Sequence, residues 1–179
     1  MNAMGGREAW DNTNYISWNF FGRRQLFWDK TENKVRIDRD NMVMSLNMDD
    51  MTGQVWKDGE LMQSPDSISK YLKMANDIWI NDAYWLFMPF KLKDSGVTLS
   101  YIRDDTTMAG DPSSVLMLTF NEVGNTPQNA YEVWLNDETR LVRQWAYYKD
   151  AEDEEPRFVL PWDDYQPHGD ILLSGDRGD

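Results

Sequence analysis

A chain of 179 residues is long enough for one domain with a sizeable core and short for two. Its formal net charge of −13, from 31 acidic against 18 basic residues, repels phosphate backbones and anionic headgroups, which argues against nucleic acid and against electrostatic docking on anionic membranes. With no cysteine, disulfides, thiolate chemistry, zinc–cysteine sites and an acylated N-terminal Cys are excluded within these 179 residues, while 9 Trp and 11 Met supply a large polarizable apolar surface to bury.

The opening MNAMGGREAWDN has neither the basic nor the apolar region of a signal peptide, and a short helix fits around Arg7–Trp10. From Tyr15 the pattern has period two. Ile16, Trp18 and Phe20 alternate with Ser17 and Asn19, then Leu26 with Trp28, then Val35 with Ile37, then Met42, Met44 and Leu46. Gly22-Arg23-Arg24, Lys30–Asn33 and Asp40-Asn41 are the turns between them, and Asp58-Gly59 is a strong tight-turn signal between Gln54–Lys57 and Glu60–Met62. This predicts an antiparallel meander.

The stretch from Ser64 to Leu92 breaks that pattern. Ser64 fits an N-cap, Pro65 the first helical position and Asp66 the first turn, after which Ile68, Tyr71, Leu72, Ala75 and Trp79 recur at helical spacing. Beyond Asn81-Asp82 the segment from Ala83 to Phe90 is apolar almost all round, with Tyr84, Trp85, Phe87 and Met88. Two readings are open: the segment plugs a core, or it lies as a lid over an apolar cavity.

Strands resume at Val97, Leu99 and Tyr101, followed by Ser114–Phe120, a loop at Asn121–Asn129, and Tyr131–Leu135. The turn Asn136–Thr139 leads into Leu141–Tyr148, which sets Trp134 and Trp145 on adjacent strands. Asp150–Glu155 reads as an acidic loop, Phe158–Trp162 as an edge strand with Pro161, Asp163–Asp170 as irregular, and Ile171–Leu173 as a last short strand. No repeat and no linker composition appears, so one domain over residues 1–179 is expected. A single helical segment cannot cover a flat sheet of roughly ten strands at ~4.8 Å spacing. The expected fold is therefore α+β, a strongly curved antiparallel sheet, an unclosed half-barrel, wrapped around the helical insert.

The GGREAW…ISWNF hairpin, the aromatic DAYWLFMPFKL of the insert and the strand pair YEVWLNDETRLVRQWAYY resemble the LolA/LolB-like superfamily of outer-membrane lipoprotein carriers and their envelope relatives. The similarity is one of order and pattern over nearly the whole chain, and it points to LolA-like envelope proteins rather than to the carriers proper. It implies a half-barrel with a helical lid and an apolar cavity that accepts acyl chains. It also implies a periplasmic or outer-membrane-associated location with a trimmed leader, a hydrophobic ligand, an envelope protein as partner, and no membrane-spanning segment. The carriers hold the lid with a basic residue, for which Arg23, Arg24 and Arg36 stand in the right region. The membrane-inserting apolar loop of the LolB type has no counterpart here.

If the cavity that the resemblance implies is present, the expected ligand-lining set is Trp18, Phe20, Trp28, Met42, Met44, Leu46, Trp79, Trp85, Phe87, Met88, Trp134 and Trp145; a filled core would satisfy the same apolar pattern. Catalysis has little to build on. His168 is the lone histidine, and no carboxylate pair is placed for acid–base work, so the expectation is a non-enzymatic binding protein without cofactor. Asp163, Asp164, His168 and Asp170 bring four metal-capable side chains within eight residues, with a polar loop as the plainer reading. Two other classes stay open: an interaction module with a filled core, and a carbohydrate-binding or hydrolytic protein whose tryptophans would have to line an exposed groove.

Overall fold

A computed structural model describes residues 1–121 and 123–178. Glu122, in the expected loop Asn121–Asn129, and Asp179, at the end of the SGDRGD tail, lie outside the described residues. The fold is α+β, with antiparallel sheets of six, five and two strands among the described residues. The chain forms two compact units: Asp11–Trp85, and Met1–Trp10 together with Leu86–Asp179.

The first of these units is a meander. Its strands are β1 (Tyr15–Phe20), β2 (Arg24–Asp29), β3 (Lys34–Arg39), β4 (Met42–Asn47), β5 (Gly53–Lys57) and the short β6 (Glu60–Leu61), each hydrogen-bonded to its sequence neighbour. The turns follow from residues that tolerate positive φ. Asp58 and Gly59 sit at +53° and +82°, the paired left-handed conformation that matches the twist of a two-residue hairpin. Two cross-strand rows face inward: Trp18, Leu26, Ile37, Met44 and Val55, and beside them Ile16, Trp28, Val35, Leu46 and Gly53.

The short helix α1 (Gly6–Asn12) precedes β1, and the long helix α2 (Pro65–Lys91) follows β6. Ser64 caps α2 as expected: its carbonyl accepts from Ile68 N at 2.9 Å, while its hydroxyl lies 3.5 Å from Ser67 N. Leu72 and Ala75 are buried against the sheet residues Leu26, Val35, Ile37, Met44, Leu46 and Val55, with Ile68, Tyr71, Ile78 and Trp79 half-buried around them. Each such large side chain contributes roughly 1.5–3 kcal/mol when taken fully out of water. Gly53 permits this approach. A Cβ there would fall 2.0 Å from the Ser45 carbonyl oxygen and 3.0 Å from Leu72 Cδ2.

The change of pattern at Asn81-Asp82 does not interrupt the helix. The Asp82 carboxylate is bound by Arg24 and by the Asn81 side chain, so neither residue turns back on its own backbone to end the helix. Pro89 lies within the last turn, among the residues from Leu86 to Lys91 that belong to the second unit.

In that second unit β7 (Val97–Thr106), β8 (Pro112–Phe120), β9 (Ala130–Asn136), β10 (Val142–Tyr148) and β11 (Phe158–Pro161) form a five-stranded sheet in the order β11-β10-β9-β8-β7. No ladder joins β6 to β7, so the single wide sheet expected from the sequence is divided where the helix intervenes. Residues 163–170, expected to be irregular, instead contribute β12 (Asp163–His168), which pairs with β13 (Ile171–Asp176). The hairpin is anchored by the Tyr165 hydroxyl, which donates to the Val142 carbonyl at 2.8 Å, and by buried Ile171 and Leu173. The polar side chains of β12 conceal its extended backbone. No helix among the described residues is long and apolar enough to cross a membrane.

Candidate functional site

The inward face of the β1–β6 sheet brings seven of the twelve expected lining residues into one cluster. Met44 and Leu46 are at 0% exposure in its centre, and Trp18, Phe20, Trp28, Met42 and Trp79 are half-buried around them. Period-two alternation places the sheet residues and the 3.6-residue helical period places Trp79. The Trp28 and Trp79 rings meet edge to face, with centroids 5.3 Å apart. The Trp79 indole N–H is buried and has no hydrogen-bond acceptor in reach among the described residues.

Trp85, one turn beyond Asp82, meets Phe20 and Phe21 edge-on at 6.5 and 6.2 Å. Phe20 and Arg24 are cross-strand partners at the end of the β1–β2 hairpin, and the Arg24 guanidinium lies 4.8 Å from the Phe20 ring centroid. Arg24 Nε donates to Asp82 Oδ2 at 2.8 Å and Nη2 donates to Oδ1 at 3.0 Å. Burial pushes the Asp82 carboxyl above its ordinary range, while hydrogen bonds from Asn81 and Arg24 pull it back. Of the three basic residues in the region that the resemblance pointed to, Arg24 is the one that bridges sheet and helix. Arg36 instead pairs with Asp38 on its own strand. A cleft of about 490 Å³ runs beside the ion pair, with Met74 and Ile78 among its apolar lining and Lys70, Lys73 and Asp77 at its polar side.

The other expected lining residues belong to the second unit. Phe87 meets Trp10 with centroids 5.3 Å apart, and Met88 is 1% exposed. Trp134 and Trp145 are buried but on opposite faces of the five-stranded sheet. Without a bulge, Trp134 would pair with Arg143 and share a face with Trp145. The register shift between Val142 and Gln144 pairs Trp134 with Gln144 instead and sends Trp145 to the face of Val133. Trp145 then packs with Tyr131, Phe158 and Trp162.

The sequence reading missed a charged cluster on the Trp134 face. Arg103 forms a bidentate pair with Glu132 at 3.0 and 2.8 Å, and the Tyr148 hydroxyl is hydrogen-bonded to the same carboxylate. Asp105 accepts from the Trp134 indole N–H at 3.3 Å, and the Arg103 guanidinium lies 5.5 Å from that ring's centroid. Glu132 raises the Arg103 pKa above its already high ordinary value. An acidic residue within the apolar run Tyr131–Leu135 was the one available signal.

Of the four residues considered for a metal, Asp163 and Asp164 have side-chain partners of their own. Arg143 donates to Asp163 at 3.0 Å and Gln166 donates to Asp164 at 2.6 Å. No group of three or more His, Cys, Asp or Glu among the described residues could hold a metal ion. None of the nine tryptophans is exposed: Trp134, Trp145 and Trp162 are buried and the other six are half-buried. No protein-family model matches the chain, and none of the curated proteins matches it.

Proposed function

We propose that the Asp11–Trp85 unit binds an apolar, acyl-chain-like ligand between α2 and the β1–β6 sheet, with α2 as a lid held by Arg24 and Asp82. The observation that carries this reading is the ring of half-buried Trp18, Phe20, Trp28, Met42 and Trp79 side chains around the helix–sheet cluster, where the Trp79 indole N–H is buried without an acceptor among the described residues. Buried donors are nearly always satisfied, and leaving one unmet costs about 1–3 kcal/mol. A ligand whose tail lies along Trp18, Phe20 and Trp28, and which carries an ester or amide oxygen, supplies both apolar contact and an acceptor. The centre under Leu72 and Ala75 is filled, so the ligand occupies the half-buried rim rather than the middle. In cellular terms this is a non-enzymatic lipid-handling role in the cell envelope, periplasmic or at the outer membrane, serving an envelope partner.

The filled centre favours a second reading, a protein-interaction module whose helix is simply core. Detergent-free purification followed by native mass spectrometry, with titration of a fluorescent fatty-acid probe, separates the two. Copurified lipid or saturable probe uptake supports the lid. Bare protein in repeated preparations, with no probe uptake, leaves the interaction module.

A further inference from the structure

Strand β7 ends the five-stranded sheet: among the described residues it pairs with β8 on one side and with no strand on the other. Beyond that ladder, no backbone group from Thr98 to Asp105 makes a main-chain hydrogen bond among the described residues. At ten residues it is the longest strand described, and Tyr101 and Ile102 on it are 59% and 39% exposed. Its first half, Val97–Ile102, carries no charge, no lysine and no proline, the devices by which edges usually resist pairing.

Two features select what can pair there. The register shifts between Tyr101 and Arg103, so Ile102 is an extra residue that twists the edge. A rigid flat edge fits such a strand poorly, whereas a flexible extended segment can follow it. The second half is acidic. Asp104 and Asp105 are exposed, Asp137 lies beside Ser114 on the neighbouring strand, and Arg103 is neutralised by Glu132 and Asp105. A second copy of the chain would bring another −13 charge and the same bulge against this edge.

We propose that β7 accepts an extended, basic peptide segment by strand addition. The main chain of that segment pairs with Thr98–Ile102, and its lysines or arginines face Asp104 and Asp105.

The probe is a fluorescent synthetic peptide of alternating threonine and lysine, titrated against the full chain by anisotropy. Two control peptides replace lysine with glutamate or alternate threonines with proline. The expected result is saturable binding of the threonine–lysine peptide alone, weakened about tenfold by Asp104→Lys and progressively by added salt. Amide exchange should slow within Thr98–Ile102, and circular dichroism of the variant should be unchanged. Lack of binding overturns the proposal. So does equal binding of the proline peptide, which would mean charge attraction without strand pairing, or amide protection confined to other segments. Dimerisation of the chain with protection of β7 would assign the edge to a second copy and overturn it equally.

Discussion

Arg24 and Asp82 stand 58 residues apart in the chain and meet through two charge-assisted hydrogen bonds, with the Asp82 side chain at 0% exposure. Removing one partner of a buried pair leaves the other charge desolvated, which costs about 3–5 kcal/mol. Arg24→Gln should lower stability in chemical denaturation by that order. The double change Arg24→Met with Asp82→Leu should recover most of the loss, because it removes both charges. Equal instability of the single and double variants would show that the pair's electrostatics are not what the helix depends on.

The same carboxyl gives a pH dependence with a definite sign. Burial raises its folded-state pKa above the ordinary 3.8, so the folded chain holds this proton more tightly than the unfolded chain. The stability that follows is fully present below the unfolded value and is lost as pH rises through the raised folded value. Wild type minus Asp82→Asn, measured by thermal unfolding, should therefore fall with rising pH in the acid range above 3.8 and then level off. A difference that grows with pH there would contradict the assignment.

Trp85 tests the lid directly. It is half-buried and touches Phe20 and Phe21, so Trp85→Ala should reduce fatty-acid probe uptake several-fold while the chain stays folded. A Trp in a closed core would instead cost about 3–5 kcal/mol on truncation. If uptake and stability were both unchanged, neither the lid nor the core reading of this residue would stand.

Gly53 has no room for a side chain. Gly53→Ala places a methyl group 2.0 Å from the Ser45 carbonyl oxygen, which forces β4 and β5 apart where Leu72 packs. The expected loss is about 1–3 kcal/mol or somewhat more, read from urea midpoints at constant slope.

At the β9–β10 turn, the Asn136 side-chain oxygen accepts from Glu138 N, Thr139 N and the Thr139 hydroxyl, at 3.0, 2.7 and 3.0 Å. Asn136→Ala leaves these donors unmet in a partly buried turn and should cost about 1–3 kcal/mol. Asn136→Asp, which keeps the acceptor, should restore part of it.

The elements most legible in the sequence are those with purely local causes. Asp58-Gly59 can form its turn from backbone preference alone, and Ser64-Pro65-Asp66 starts α2 by capping and dipole effects within one turn. The alternation from Ile16 to Leu46 gives the inward face of the meander because one side of each strand meets solvent. Longer-range causes stayed hidden. Nothing near Arg24 in sequence says that Asp82 will bind it, and nothing in the run 130–148 announces the bulge that separates Trp134 from Trp145. Burial of both faces of β9 erases alternation altogether, and in β12 polar side chains conceal an extended strand. The single sheet was expected because hairpins adjacent in sequence usually extend one ladder. Here the helix of residues 65–91 intervenes, and pairing starts again at Val97.

The meander has a consequence for the order in which the molecule assembles. In the unit Asp11–Trp85 every strand pairs with its neighbour in sequence, so each ladder closes over a short turn and little chain entropy is lost before contacts form. The other unit is assembled from two separated segments, Met1–Trp10 and Leu86–Asp179, and cannot be completed until the intervening unit has been synthesised. Pulse-labelled amides of β1–β5 are therefore expected to gain protection ahead of those in β13, the strand that meets the N-terminal segment.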